Sequence, residues 1–130
     1  MKKFLIINII LFLGLSVFGK VDNDGTDWTH VAPNNYVDYG GVVGLEEIYG
    51  FTFMLKAFNK GQYEPVNGRQ ILYTLSQYTL NCSNRTYKIG IMDSYDDNGY
   101  FVNGDYNKYA KFQPIVEGTA VDTIANKLCR

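Results

Sequence analysis

Thr119-Ala120-Val121-Asp122-Thr123-Ile124-Ala125-Asn126-Lys127-Leu128-Cys129 is the stretch whose reading decides the fold. Val121, Ile124, Ala125, Leu128 and Cys129 follow the i, i+3, i+4, i+7, i+8 spacing that gathers apolar side chains into one stripe on a helix. Thr119, with Asp122 three residues later, approximates a capping box and marks the start of that helix. Nowhere else in the mature chain does helical periodicity appear. Cys129 lies on the stripe, and Cys82 is the only other cysteine. Two cysteines in an exported chain of this size most simply form one disulfide, because the compartment beyond the inner membrane is oxidising. The expectation is a helix laid across the sheet face that presents Cys82, its last turn pinned there by a Cys82–Cys129 bond.

Upstream, runs rich in Val, Ile, Tyr, Phe and Thr recur between turn residues, the pattern of successive short strands. Trp28-Thr29-His30-Val31 stops at Pro33-Asn34-Asn35, and Tyr36-Val37-Asp38-Tyr39 stops at Gly40-Gly41. In 49–58, Tyr49, Phe51, Phe53, Leu55 and Ala57 share one face by period two, while Thr52, Met54 and Lys56 share the other. A turn region with Gly61, Pro65 and Asn67-Gly68 follows. The run 70–82 is apolar on both faces, with Leu72, Tyr78, Leu80 and Cys82 on one and Ile71, Tyr73 and Leu75 on the other, so it is read as central. In 86–94, Tyr87, Ile89 and Ile91 alternate with Lys88 and Gly90, a hairpin closing beside Cys82. Asn98-Gly99 is the dipeptide favoured in type I′ turns and leads into Tyr100-Phe101-Val102. Pro114 restricts a short strand within 111–115 to an edge or an end. The fold class is α+β, an antiparallel sheet with one C-terminal helix.

The N-terminus is a different kind of segment. Met1-Lys2-Lys3 is a positive head, and residues 4–18 form an apolar run broken only by Asn8, Gly14 and Ser16. A membrane-spanning helix needs about 20 apolar residues, so this shorter run, followed by polar residues 20–26, reads as a secretory signal. Val17 and Gly19 place small residues three and one positions before a cut between Gly19 and Lys20. The expected organisation is a signal peptide at 1–19, a flexible leader at 20–27 and one domain at 28–130. No integral membrane segment is expected after signal removal, and no cysteine stands where a lipid would be attached. The protein is expected to be exported, to the periplasm, the cell surface or the medium.

Removing the signal takes Lys2 and Lys3 from the 12 basic residues, leaving 10 against 13 acidic and a net charge of −3. Scattered basic residues on an acidic chain exclude nucleic acid as the obvious partner. Catalytic constellations are missing as well. His30 is the single histidine, and none of Ser76, Ser83 and Ser94 sits in a Gly-x-Ser-x-Gly elbow. Glu46 and Glu47 point to opposite sides of an extended chain. Asp93, Asp96, Asp97, Asn98 and Asp105 superficially resemble a calcium loop, yet with Gly99 sixth the first ligand would be Ser94 and the twelfth Asp105 in place of Glu. One histidine and two cysteines do not build a structural zinc site. No enzyme activity, cofactor or metal is therefore expected. All 11 tyrosines lie in the mature part. Tyr36, Tyr39, Tyr63, Tyr95, Tyr100, Tyr106 and Tyr109 fall in or beside turns and edges and are the candidate protein-contact residues, against the alternative that they cover the rims of a thin core.

From 28 to 129 these elements resemble the surface-adhesin protein E family of Gram-negative bacteria. The resemblance is carried by Trp28-Thr29-His30-Val31, by Tyr36-Val37-Asp38, by Tyr78-Thr79-Leu80-Asn81-Cys82-Ser83-Asn84-Arg85, and by the closing Pro, small-residue cap, helix and Cys129. It implies a single antiparallel sheet of about six strands with a C-terminal helix held by a disulfide. It also implies surface display, binding of host extracellular-matrix or serum proteins, and a tendency to homodimerise. Met54-Leu55 and Phe112 stand where such proteins often have Trp. The alternative function is a periplasmic inhibitor of an enzyme such as a lysozyme, acting through a protruding loop at 40–47 or 62–68.

Overall fold

A computed structural model of the chain describes residues 26–130. The expected signal peptide, 1–19, and all but the last two residues of the expected leader lie outside the described residues. The elements are β1 (Thr29–Ala32), β2 (Asn35–Val37), a 3-10 turn (Tyr39–Gly41), β3 (Val43–Gly44), β4 (Gly50–Phe58), β5 (Ile71–Asn81), β6 (Thr86–Asp96), β7 (Phe101–Tyr106), β8 (Gln113–Pro114) and α1 (Ala120–Leu128). All pairings are antiparallel, in one sheet of order β1-β2-β4-β5-β6-β7, with β3 also on β4 and β8 also on β6.

The sheet has eight strands where about six were expected. β3 and β8 are two residues each; β8 lies within the short strand expected at 111–115, whereas β3 is too short for an alternation to show. Each fills a length of edge that its neighbour leaves open. β2 covers β4 at Leu55–Ala57 while β3 takes Phe51 and Thr52, and β7 covers β6 at Ile91–Tyr95 while β8 takes Thr86 and Tyr87. Pro114 is tolerated because β8 is an edge.

Bulges alter two of the expected faces. The β5–β6 register shifts between Ile71 and Tyr73 and again between Gln77 and Tyr78. An extra residue in one strand turns everything beyond it onto the opposite face. Ile71 thus leaves the side of Tyr73 and joins Thr74, Met92 and Ser94 in lining a cleft, and Leu72 is exposed. Past Gly90, Ile91 pairs with Gln77 while Ile89 pairs with Tyr78, so the two isoleucines no longer share a face. The turn chemistry also differs from expectation. Asn98 has no positive φ and only Gly99 does, at 83°, so the hairpin closes with a left-handed glycine after the turn. The type I′ geometry belongs to Asn67 and Gly68, at φ 51° and 77°, where Val66 and Arg69 exchange both backbone hydrogen bonds.

The core lies between one sheet face and α1. Val37, Phe53, Leu55 and Leu80 meet Val121, Ile124 and Ala125, with Phe51, Tyr78, Tyr87 and both cysteines packed around them. Strand alternation supplies Phe51, Phe53 and Leu55, and the helical stripe supplies the rest. Thr119 Oγ1 accepts from the Asp122 backbone N–H at 3.4 Å, and Asp122 Oδ2 accepts in return from the Gly118 N–H at 3.0 Å. Three further ties hold the helix. Arg85, in the β5–β6 turn, donates to Asp122 at 2.8 Å and to Asn126 at 3.2 Å. Tyr49 hydroxyl donates to the Arg130 carbonyl and accepts from its N–H, at 2.9 and 2.8 Å. Cys82 and Cys129 are disulfide-bonded, 47 residues apart in sequence and 5.4 Å between Cα atoms. Gly50 faces the chain so closely that a Cβ there would run into the Leu80 carbonyl oxygen.

Candidate protein-contact face

Side chains on the central strands that do not meet α1 point to the opposite face, and among the described residues no helix covers it. A row of rings crosses the whole sheet there: His30 on β1, Tyr36 on β2, Phe58 on β4, Tyr73 on β5, Tyr95 on β6 and Phe101 on β7. Successive ring centroids lie 5.2, 5.8, 5.8, 5.0 and 5.9 Å apart. The register explains the row. His30 pairs with Tyr36, Phe58 with Tyr73, Tyr73 with Tyr95, and Tyr95 with Phe101. Tyr36 pairs with Lys56 and reaches Phe58 diagonally. The shift at Gly90, between Gln77 and Tyr78, and a second shift between Ser94 and Tyr95 are what bring the last three rings into line. Stacked or tilted contacts of this kind contribute about 0.5–1.5 kcal/mol each beyond the area they bury.

Lys56 lies within this row, only 1 % exposed. Its Nζ is 5.4 Å from the Trp28 ring, 5.1 Å from Phe58 and 5.0 Å from Tyr73, and ring faces attract a cation most where water is excluded. Burial, followed by nearby Asp93, pushes the Tyr95 hydroxyl above its usual pKa. On the opposite face, burial first and then Tyr87 and Tyr63 push the Tyr78 hydroxyl up to about 12.

The tyrosines singled out from the sequence divide into two groups. Tyr36 and Tyr95 are half-buried members of the row. Tyr39 packs against the helix-side core, its ring 4.2 Å from Lys127 Nζ. By contrast Tyr100, Tyr106 and Tyr109 are 62, 68 and 77 % exposed, and Tyr63 is 42 % exposed. Phe101, 53 % exposed, joins this second group. Its ring folds over Gly104, 3.3 Å from where a Cβ would stand. The exposed rings therefore concentrate on β7 and its flanking loops, and β7 is the last strand of the sheet. Phe101, His30 and Lys56 were not in the sequence-based contact set. Only the strand register joins them to it.

The polar residues considered from the sequence have local duties. Asp96 Oδ1 accepts from the N–H groups of Asn98 and Tyr100 at 3.0 and 2.9 Å, while Oδ2 pairs with Arg69 at 2.8 Å. The Arg69 bond, then the Tyr100 N–H, hold the Asp96 carboxyl below its ordinary pKa. Asp105 lines the cleft with Tyr63, Glu64 and Thr74. His30 is an exposed ring at one end of the row, and Glu46 and Glu47 are exposed in the bend before β4. Among the described residues no three His, Cys, Asp or Glu side chains come together as metal ligands. No helix among them is long and apolar enough to cross a membrane. Of the two loops considered for enzyme inhibition, 62–68 forms one wall of the Tyr63 cleft and ends in the Asn67-Gly68 turn, while 40–47 holds β3 against β4.

The fold is similar to that in the structure of crystal form II of Haemophilus influenzae protein E, with a TM-score of 0.61 at 15 % identity over 89 % of this chain and 96 % of that one. No curated protein matches the sequence. The family model for Surface-adhesin protein E matches residues 28–130, the whole described domain save its first two residues. With the helix, the Cys82–Cys129 tether and the open sheet all in place, the chain belongs to the surface-adhesin protein E family.

Proposed function

We propose that this chain is an exported, non-enzymatic binding module that docks proteins of the host matrix or serum along the β7 rim. The observation that carries this reading is the set of Tyr100, Phe101, Tyr106 and Tyr109 on a terminal strand and in the loops flanking it, all more than half exposed. Tyrosine offers contact area at low entropy cost and keeps a polar tip for hydrogen bonding. The outer backbone groups of a terminal strand can also take an added strand from a partner. Family membership supports an adhesin-like role at the cell surface. A second copy of the chain is the other occupant this edge accepts.

The test uses purified mature protein, begun at the expected cut before Lys20, over immobilised matrix and serum glycoproteins. A Tyr100→Ser/Tyr106→Ser/Tyr109→Ser variant should retain its thermal midpoint and lose association about tenfold or more. Micromolar parent protein that binds none of them removes the adhesin reading. Concentration-dependent dimerisation lost in the same variant assigns the rim to self-association instead.

A further inference from the structure

We propose that the cleft between the 62–66 loop and β7 is a binding site for a primary ammonium group carried on a short apolar stem. The cleft has a volume of about 270 Å³. Strand register sets its floor. Thr74 is four residues before Tyr78 on β5, whose pairing with β4 is unbroken there, so it shares the helix-side face with Tyr78 and Leu80 beyond the reach of α1. Thr74 pairs with Ser94, and Ser94 with Asn103, so three polar side chains run in a row across β5, β6 and β7. Adjacent members of such a row have Cβ atoms about 5 Å apart and can meet one guest atom together. Thr74 is only 2 % exposed, and its hydroxyl opens on the cleft with no hydrogen-bond partner among the described residues. Buried polar groups are normally hydrogen-bonded, so a donor brought by a ligand would be taken up there. Charge points the same way. Glu64 comes to the cleft from the loop and Asp105 from β7, both exposed and neither in an ion pair among the described residues. No lysine or arginine lines the cleft, and Arg69, at the end of the loop, is held by Asp96 at 2.8 Å.

These features select one kind of guest. Val66, Ile71 and Met92 line the cleft and take an apolar stem. Two carboxylates with no cation between them favour a positive charge. An ammonium is a compact charge with three donors and no acceptor, and separate oxygens from Thr74, Ser94 and Asn103 suit it. A guanidinium is a planar fork better served by two oxygens of one carboxylate. An anionic guest would meet Glu64 and Asp105, and a neutral alcohol would give up the electrostatic share. The volume lies just under the usual range for drug-sized pockets, so the guest is a side chain or a small amine in size. None of Tyr100, Phe101, Tyr106 and Tyr109 lines this cleft. The site stands whether or not the β7 rim binds protein.

Full mature protein, isotope-labelled for amide spectra, is titrated with n-butylammonium, with its neutral counterpart n-butanol, with butanoate, and with a blocked peptide carrying one Lys. The expected result is a saturable shift of the Thr74, Ser94 and Asn103 backbone amides at millimolar n-butylammonium, at least tenfold weaker or absent with the alcohol and with butanoate. Glu64→Gln/Asp105→Asn alters two exposed side chains and should weaken the ammonium at least tenfold with an unchanged thermal midpoint. Thr74→Val keeps the shape of the side chain and should weaken it severalfold, and Thr74→Ser should restore it. If Thr74→Val does not fold, the double variant and the comparison of ammonium with alcohol decide alone. Tighter binding of the free amine assigns the site to a small molecule, and tighter binding of the peptide assigns it to a lysine side chain of a protein. Unmoved amides, equal shifts from the ammonium and either control, or a Glu64→Gln/Asp105→Asn variant that binds like the parent overturns the proposal.

Discussion

Replacing both cysteines, Cys82→Ala with Cys129→Ala, tests the element on which the architecture rests. The bond closes a loop with a sequence separation of 47. In the chain-entropy picture, opening it returns about 4 kcal/mol of freedom to the unfolded chain at 25 °C. A small domain has only about 5–15 kcal/mol in all, so the variant should stay folded with little reserve. With a urea m-value of about 1–3 kcal/mol/M, the midpoint falls by between about 1 and 4 M. In a thermal scan the same loss lowers the midpoint by roughly 15–30 °C for a domain of about 100 residues. The m-value itself should rise, because a chain without the cross-link unfolds to a more expanded state. The folded form should still hold α1 in place through Val121, Ile124 and Ala125, the Arg85–Asp122 pair and the Tyr49–Arg130 bonds. Hydrogen exchange of the helix amides should therefore accelerate without the helix signal disappearing. A double variant within about 1 kcal/mol of the parent in urea would refute the entropic reasoning, since the predicted loss is several times larger.

Gly50→Ala should destabilise by about 2 kcal/mol or more, because its Cβ meets the Leu80 carbonyl, whereas Gly90→Ala meets nothing within 4 Å and should stay within about 0.5 kcal/mol; urea midpoints of the pair check this. Asp96 has a depressed folded pKa, so its stabilisation is present above the 3.8 of an ordinary carboxyl and is lost as pH falls through the folded value. Asp96→Asn should lower stability at neutral pH and flatten the acid limb, read from thermal midpoints across an acid pH series. Tyr78 runs the other way, its pKa being raised from 10.0 to about 12. Its contribution is whole below pH 10 and about 2–3 kcal/mol is lost between pH 10 and pH 12, at 1.36 kcal/mol per unit. Tyr78→Phe keeps the stacking against Phe53 and Tyr87 and should reduce that alkaline loss, as followed by tyrosinate absorbance and urea midpoints at each pH.

Local pattern alone specifies which segments are extended, where the C-terminal helix begins and which side chains it buries. Those are local matters: period two in 49–58, period 3.6 with a Thr cap in 119–129, and two cysteines with no other choice of partner. It also marked Tyr100, Tyr106 and Tyr109 as rings beside turns. What it left open was register. The bulges at 71–72, near Gly90 and beside Ser94 each depend on which residue faces which across a strand pair, and one residue of slip exchanges the faces. For that reason Ile71 and Ile91 lie on the sides opposite to those their alternation suggested, and Asn67-Gly68 forms the type I′ turn expected at Asn98-Gly99. The two-residue strand β3 carries too little sequence to announce itself, whereas Pro114 marks β8 as a short edge piece. Most of all, the row from His30 to Phe101 gathers six rings spread over some seventy positions of the chain. Only tertiary pairing sets them side by side, because ring contacts reach about 6 Å and nothing in a linear sequence fixes distance across strands.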